Sequence, residues 1–244
     1  MIPEKSRIVV STVGFLMGDS WTHLPGVVGL CKLGIHDVKL VCGTYGLPVW
    51  EWAQKNVVGA DYEIVKVIED PDVVEHPFCP GKGFLAITPA LEHVRDLMPD
   101  ETVKHCASFE GHSGSLALRD SSLLVDGDFT VVHPYTRHDW KNCRMVARDV
   151  IYSRPVKGIG LPGEYQPGTS WEMVSDFDFM VAAVLGSAGF VGVLSSFTNV
   201  ATLFGKKQII VSFTPDMPQV NPRAVKMVEP SLEELQAVVN EMGL

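Results

Sequence analysis

Short apolar runs, rich in β-branched residues, recur along the chain with helix-like stretches between them. Such near-continuous runs are typical of parallel strands that are buried on both faces of a sheet. The runs lie at residues 8–13, 38–42, 62–68, 129–133, 156–161, 190–194 and 208–213. Because strands and helices alternate, the sequence predicts βαβ units and an α/β fold with parallel sheets.

Two helices have a clear pattern. Apolar residues at intervals of three and four in the segment 143–151 predict a helix with one stripe packed on a sheet. This stripe consists of Cys143, Val146, Ala147, Val150 and Ile151. The last helix is predicted to begin with a capping box, Ser231 and Glu234, and to end at Gly243. A further helix is expected around residues 87–97.

The length of 244 residues suits one large α/β domain or two small ones. Residues 70–127 hold many prolines and glycines, and a new strand begins directly after Gly127. We therefore expect two α/β halves of roughly equal size that face each other. Residues 1–127 form the N-terminal domain in this prediction, and residues 128–244 form the C-terminal domain.

The charge of the chain limits its partners. The formal net charge is −9, so there is no basic excess to displace counterions from a nucleic acid. Any phosphate must therefore be bound locally, by backbone amides and a few placed cations. The five cysteines are widely spaced without a CxxC pair, which predicts reduced thiols. The histidines have no metal-site spacing, so no metal is expected.

One uncharged stretch, residues 179–197, is close to the length of a membrane span. Its glycines favour a different interpretation, in which a buried helix, a glycine turn and a buried strand follow one another. The first residues also lack the pattern of a signal peptide. We expect a soluble, cytoplasmic protein without a transmembrane segment.

The first candidate site follows the first predicted strand, where Gly14, Gly18 and Asp19 precede a helix expected near Ser20. Glycines allow a ligand to approach the backbone closely, and a helix N-terminus favours an anion. Asp19 would then lie in the crevice where α/β sheets bind ligands. The alternative is that Asp19 only caps the helix.

A second pattern, Gly158-x-Gly160-x-x-Gly163, matches the dinucleotide fingerprint literally. That fingerprint needs a helix that opens within it. Here Pro162 interrupts, and the first two glycines belong to a predicted strand. A nicotinamide site is therefore disfavoured.

Two further candidate sites follow predicted strands of the second half. Small hydroxyl and amide residues begin a helix after the strand at 190–194: Ser195, Ser196, Thr198 and Asn199. Their hydroxyls and the free N–H groups of the first turn suit an anion, although ordinary helix capping is the alternative. After the strand at 129–133 come Thr136, Arg137 and Lys141, and cations beside a hydroxyl suit a diphosphate. A solvated helix start is the alternative there.

In this order, the motifs resemble glycosyltransferase family 9, the ADP-heptose:lipopolysaccharide heptosyltransferases of the two-Rossmann-domain GT-B type. The matching pieces are the Gly18-Asp19 turn, the His133-Pro134 turn with its following cations, the stretch from Gly160 to Glu164, and the turn and helix from Val193 to Lys206. The sequence departs from the family pattern at three positions. It has Leu194, Ser196 and Asn199 where the family has Asp, Gly and His.

The resemblance implies a metal-independent, inverting transfer of a hexosyl or heptosyl group, with no cofactor besides the nucleotide-sugar donor. Residues 1–127 would form a Rossmann-like acceptor domain, and residues 128–244 would form a Rossmann-like nucleotide-sugar-binding domain on the other side of a cleft. The diphosphate would bind at Ser195–Asn199, and Thr136, Arg137 and Lys141 would neutralise its growing charge. Glu164 would accept hydrogen bonds from the ribose hydroxyls. Asp19 would take the proton of an acceptor hydroxyl, on a saccharide or on a modified nucleic acid.

Three alternatives share this fold. A nucleotide-sugar 2-epimerase has the same architecture and similar phosphate turns. A glycosyltransferase that acts on modified DNA bases is disfavoured by the net charge. A binding protein without turnover is suggested by Leu194 and Asn199.

Overall fold

A computed structural model describes residues 6–12, 17–34, 36–66, 103–105, 116–124, 126–135, 140–160, 172–213 and 224–244. The chain divides into two compact units, Met1–Arg119 and Asp120–Leu244. Both are α/β units with parallel sheets. The assignment of acceptor and donor roles to residues 1–127 and 128–244 stays a prediction.

The first unit has a parallel sheet with the order β3-β2-β1-β4 over the described residues. The strands are β1 (Ser6–Thr12), β2 (His36–Cys42), β3 (Tyr62–Lys66) and β4 (Val103–His105). Helices α1 (Met17–Lys32) and α2 (Leu47–Asn56) connect the first three strands. Trp21 of α1 packs edge-on against Trp52 of α2, with 5.4 Å between the ring centroids. This contact joins the two helices in the core of the unit.

The second unit has a parallel sheet with the order β10-β9-β8-β5-β6-β7 over the described residues. The strands are β5 (Thr130–His133), β6 (Val156–Ile159), β7 (Glu172–Val174), β8 (Gly189–Val193), β9 (Gln208–Ser212) and β10 (Ala224–Val228). The helices are α3 (Trp140–Arg144), α4 (Phe177–Gly186), α5 (Ser196–Leu203) and α6 (Leu232–Met242). This order of strands is that of a doubly wound Rossmann sheet.

Each predicted apolar run contains a strand, with ends that differ by a few residues. β7 and β10 are additional strands that were not predicted, whereas β4 is a short strand within residues 70–127, where the sequence predicts loops and short strands beside the expected helix. Among the described residues, Cys31, Cys42 and Cys143 are thiols rather than disulfides. Burial raises the pKa of Cys31 to about 11. Cys79, Cys106 and the helix expected at 87–97 lie outside the described residues.

The helix predicted at 143–151 is wrong in its last turn. After α3 the chain forms a π-helical turn, Met145–Asp149, which ends where the Val150 N–H donates to the Met145 carbonyl at 3.2 Å. Val150 itself is extended, so the helical spacing stops before Ile151. Cys143 and Val150 are buried as expected, but Ile151 is 76% exposed and does not belong to the stripe.

The uncharged stretch at 179–197 folds as the sequence predicts. It contains most of helix α4, a turn at Ser187 and strand β8, which is buried along its whole length. Among the residues that the structure describes, no helix has both the length and the apolar character needed to cross a bilayer.

Helix α6 begins with the predicted capping box. The Glu234 N–H donates to Ser231 Oγ at 3.2 Å, and the Ser231 N–H donates to Glu234 Oε2 at 2.8 Å. The helix ends at Gly243, whose φ of 65° is the left-handed conformation that favours glycine. Bonds from the Ser231 N–H and hydroxyl lower the pKa of Glu234.

Ser231→Ala is expected to lower the free energy of unfolding by about 1 kcal/mol, because it removes the N-cap acceptor. The ionised Glu234 side chain contributes to the free energy of unfolding above its ordinary pKa. This contribution is lost as the pH falls through the lowered pKa of the folded state. Urea unfolding at neutral and acid pH measures both effects. A destabilisation by Ser231→Ala that is equal at pH 7 and pH 3 would show that the carboxylate does not take part in the cap.

Candidate functional site

The second sheet has a topological switch point at its carboxyl edge, between β5 and β8. The chain runs outward from β5 to β6 and β7, and then returns to the other side of β5 to form β8. Val132 of β5 packs in the cluster that contains Leu235 of α6. The next residue, His133, packs against Phe197 of α5. Helices therefore cover both faces, and a crevice at such a point is the usual ligand site of an open α/β sheet.

A hydrogen bond joins the two sides of the switch point. His133, the last residue of β5, has its Nδ1 atom 2.9 Å from Oγ of Ser195, which follows β8. The imidazole is 3% exposed, and its ring centroid lies 5.3 Å from that of Phe197. Ser195 is half-buried. The buried histidine is therefore in hydrogen-bond contact with a serine that is nearer the surface.

The turn after β8 is closed by its own hydrogen bonds. The Ser195 N–H donates to Thr198 Oγ1 at 3.1 Å, and that hydroxyl donates to the Val193 carbonyl at 3.3 Å. Thr198 is buried, whereas Ser196 and Asn199 are half-buried. Thr198 thus holds the turn together, and the side chains of the other three residues lie nearer the surface. Ser195 and Thr198 form a capping box, and the Thr198 N–H donates to the Ser195 carbonyl at 3.2 Å, so the helix start is capped as the alternative interpretation expects. The N–H groups before Thr198 have no acceptor within the helix, and such groups suit an anion.

Lys141 lies in α3, the helix that follows β5 along the chain. It is exposed in α3 and lines a cavity of about 710 Å³ between α3 and the start of α6. Arg144, one turn further along, shares this wall of the cavity. The opposite wall includes Ser231 and Glu234 of the capping box. A long, exposed cation in this place has the reach and freedom to move toward an anion.

Carboxylates balance these cations. Asp149, Glu229 and Glu234 line the same cavity as Lys141 and Arg144. Glu229 has a φ of 45°, a left-handed conformation that is uncommon for a residue other than glycine and that stores strain. The cations of this cavity thus come from α3, and its carboxylates come from the segment after α3 and from the residues around the start of α6.

In the first unit, Gly18 and Asp19 lie in the first turn of α1, after the carboxyl end of β1. Both are half-buried. The Thr22 hydroxyl donates to the Gly18 carbonyl at 3.1 Å, and Nδ1 of the buried His23 lies 2.8 Å from the Asp19 carbonyl oxygen. These bonds fix the backbone beneath Asp19. The strand order puts this turn at the switch point between β1 and β4.

Several predicted site residues lie outside the described residues: Gly14, Thr136, Arg137 and Glu164. Their roles stay predictions. Gly158 lies in β6, and the Gly160 N–H donates to the Val174 carbonyl at 3.2 Å, so both belong to the sheet region, as the sequence predicts. Within the part of the chain that the structure describes, no three His, Cys, Asp or Glu side chains are grouped as a metal site.

Known structures share this fold. The E. coli heptosyltransferase WaaC with ADP-2-deoxy-2-fluoro heptose aligns with a TM-score of 0.59 and 13% identity, over 96% of this chain and 98% of that chain. A family 9 glycosyltransferase from Veillonella parvula aligns with a TM-score of 0.57 and 11% identity, over 99% and 92%. The chain has the fold of these glycosyltransferases.

The E. coli heptosyltransferase TibC in complex with ADP-D-beta-D-heptose also aligns, with a TM-score of 0.56 and 10% identity, over 93% of this chain and 65% of that chain. No family model matches the sequence, and no curated protein matches it. The solved structures with this fold include heptosyltransferases and a family 9 glycosyltransferase, the family that the sequence resembles.

His133 is the site residue that the sequence analysis did not select. It stood in the His133-Pro134 motif, but no role was given to it. A histidine that ends a buried strand directly before a proline is a signal that could have been used. Its partner Ser195 is 62 positions away, so only the fold brings the two together.

Proposed function

We propose that this chain is a glycosyltransferase that moves a sugar from a nucleoside diphosphate sugar to a hydroxyl acceptor. The observation that carries the proposal is the turn at Ser195, which begins a helix at the switch point of a sheet with Rossmann strand order. The structures of WaaC and TibC with ADP-linked ligands support a nucleotide sugar as donor. The GT-B type of two-domain organisation belongs to the same proposal.

The reaction needs charge stabilisation at the diphosphate. The acceptor oxygen forms a bond to the anomeric carbon while the bond from that carbon to the diphosphate oxygen breaks, and the electron pair leaves with the diphosphate. The N–H groups at the start of α5, the Ser195 and Ser196 hydroxyls and the Asn199 amide would donate hydrogen bonds to the diphosphate and so stabilise its negative charge. Lys141, Thr136 and Arg137 would stabilise this negative charge further.

The remaining roles complete the proposal. Asp19 would remove the proton of the acceptor hydroxyl while the hydroxyl oxygen attacks the anomeric carbon. The attack comes from the face opposite the diphosphate, so this single displacement inverts the anomeric carbon. Glu164 would bind the ribose hydroxyls. Because fixed dipoles and cations supply the charge stabilisation, the reaction proceeds without a metal. A hexose or a heptose is the expected sugar.

A binding screen followed by a turnover assay tests this function. We expect one of UDP, GDP, ADP, CDP and dTDP to raise the melting temperature, because a ligand stabilises the state that binds it. The matching nucleotide sugar should then be consumed only with a saccharide acceptor present. Conversion of the free donor would indicate an epimerase, and stabilisation without release of diphosphate would indicate a binding protein.

The non-catalytic alternative has one observation in its favour. Leu194 is 41% exposed directly beside the turn, at a position where the family pattern has a carboxylate. Restoring the carboxylate with Leu194→Asp separates the two functions. A variant that gains turnover, while the natural chain only binds, would establish that this chain has lost catalysis.

Lys141→Ala is expected to weaken binding of the selected nucleoside diphosphate by about tenfold, because a charged hydrogen bond to phosphate is lost. Lys207→Ala is the matched control, since Lys207 is exposed and precedes β9 at the amino edge of the same sheet. Titration calorimetry measures both. Equal affinities of the two variants would remove Lys141 from the site.

A further inference from the structure

We propose that His133 is a positioning residue, which orients the Ser195 hydroxyl toward the diphosphate. The proposal rests on the proposed function, because it assumes that a diphosphate binds at the turn after β8. The 2.9 Å contact between Nδ1 and Oγ is the starting observation. His133 is 3% exposed and contacts the half-buried Ser195, so it acts through the serine.

The donors and acceptors of a hydroxyl group show which atom of the His133–Ser195 hydrogen bond must be the donor. Ser195 Oγ has one hydrogen to donate and two lone pairs to accept. When Nδ1–H donates to Oγ, one lone pair is used and the hydroxyl hydrogen is left for a phosphate oxygen. When Nδ1 is the acceptor instead, the hydroxyl donates to the ring and cannot donate to the ligand. The tautomer of His133 with hydrogen on Nδ1 is therefore the one that prepares the site.

The surroundings keep the ring in place. Phe197 packs against the imidazole at an interplanar angle of 63°. The backbone of His133 pairs with Gly192 in the β5–β8 ladder. A β-carbon at Gly192 would lie 2.9 Å from the His133 carbonyl oxygen, so the close approach of the two strands depends on glycine. The imidazole is thus held between a strand and a helix, which suits a group that must keep a hydroxyl in one orientation.

A double-mutant cycle with inorganic pyrophosphate, which does not depend on the nucleotide base, tests the positioning role in the full chain. Ser195→Ala is expected to weaken pyrophosphate binding by about five- to tenfold, because one hydrogen bond to a charged oxygen is lost. His133→Ala should weaken it by a similar factor. The double variant should bind as Ser195→Ala does, since the histidine acts only through the serine.

Conservative variants give a readout that a purely structural role would not move. The amide nitrogen of asparagine lies nearer the position of Nδ1, and that of glutamine nearer Nε2. We therefore expect His133→Asn to bind pyrophosphate within about twofold of the natural chain, and His133→Gln to lose the affinity that His133→Ala loses. This pair carries the test if His133→Ala does not fold. Ser187→Ala, which removes a buried serine at the opposite edge of the sheet, is the control and should bind normally.

Two results would overturn the proposal in different ways. Additive losses in the double variant, or equal losses for His133→Asn and His133→Gln, would show that His133 does not act through Ser195, while the diphosphate site itself would stand. A natural chain that does not bind pyrophosphate at all would overturn the diphosphate site together with the positioning role.

Discussion

Asp19→Asn is expected to lower kcat for sugar transfer by at least about 100-fold while the donor Kd stays unchanged. A positioned general base contributes roughly two to four orders of magnitude to the rate, and an amide cannot accept the proton. The substitution keeps the size of the side chain and its place in the first turn of α1. Donor binding is assigned to the second unit, so it should be unaffected.

The competing interpretation, in which Asp19 only stabilises the start of the helix, makes a different prediction. Loss of the negative charge would then reduce stability by about 0.3 to 1 kcal/mol and leave the transfer rate normal. Asp37→Asn is the matched control, because Asp37 is exposed near the amino end of β2, at the other edge of the same sheet. Steady-state kinetics and urea unfolding on both variants distinguish a general base from a residue that only stabilises the helix. Transfer at the normal rate by Asp19→Asn would mean that the base is another residue.

Features that depend on neighbouring residues are predictable from the sequence. The capping box of α6 depends on Ser231 and Glu234, which are three residues apart, and Gly243 ends the helix by its own conformational freedom. The buried strands are predictable because parallel strands read as continuous apolar runs. These signals are sufficient to predict an α/β fold with parallel sheets.

Features that depend on distant residues or on short segments were missed. β7 has three residues, and β10 contains Lys226 in its centre, so neither forms a continuous apolar run. Ile151 is exposed because a π-helical turn changes the helical spacing of the apolar residues. No glycine or proline in that turn indicates the change in the sequence. The contact between His133 and Ser195 requires β5 and β8 to be neighbours, and this follows from the strand order alone.

Gly192 lies opposite His133 because β5 and β8 are neighbouring strands. Substitution of Gly192 therefore tests the switch point directly. Gly192→Ala is expected to lower the free energy of unfolding by about 1 to 3 kcal/mol, the usual effect of overpacking a core. The new β-carbon would lie 2.9 Å from the His133 carbonyl oxygen and 2.9 Å from the Phe190 ring. The carbonyl belongs to the β5–β8 ladder, so it cannot move away without widening the pairing of the two strands.

The same widening would move His133 away from Ser195, so pyrophosphate affinity should fall together with stability. Gly186→Ala is the matched control: it is the last residue of α4 in the same unit, and a β-carbon there meets nothing within 4 Å. That variant should be neutral or more stable by up to about 1 kcal/mol, because alanine restricts the unfolded chain. Urea unfolding and calorimetry measure the pair. A Gly192→Ala chain with natural stability and natural pyrophosphate affinity would show that the close approach of β5 and β8 does not hold the site.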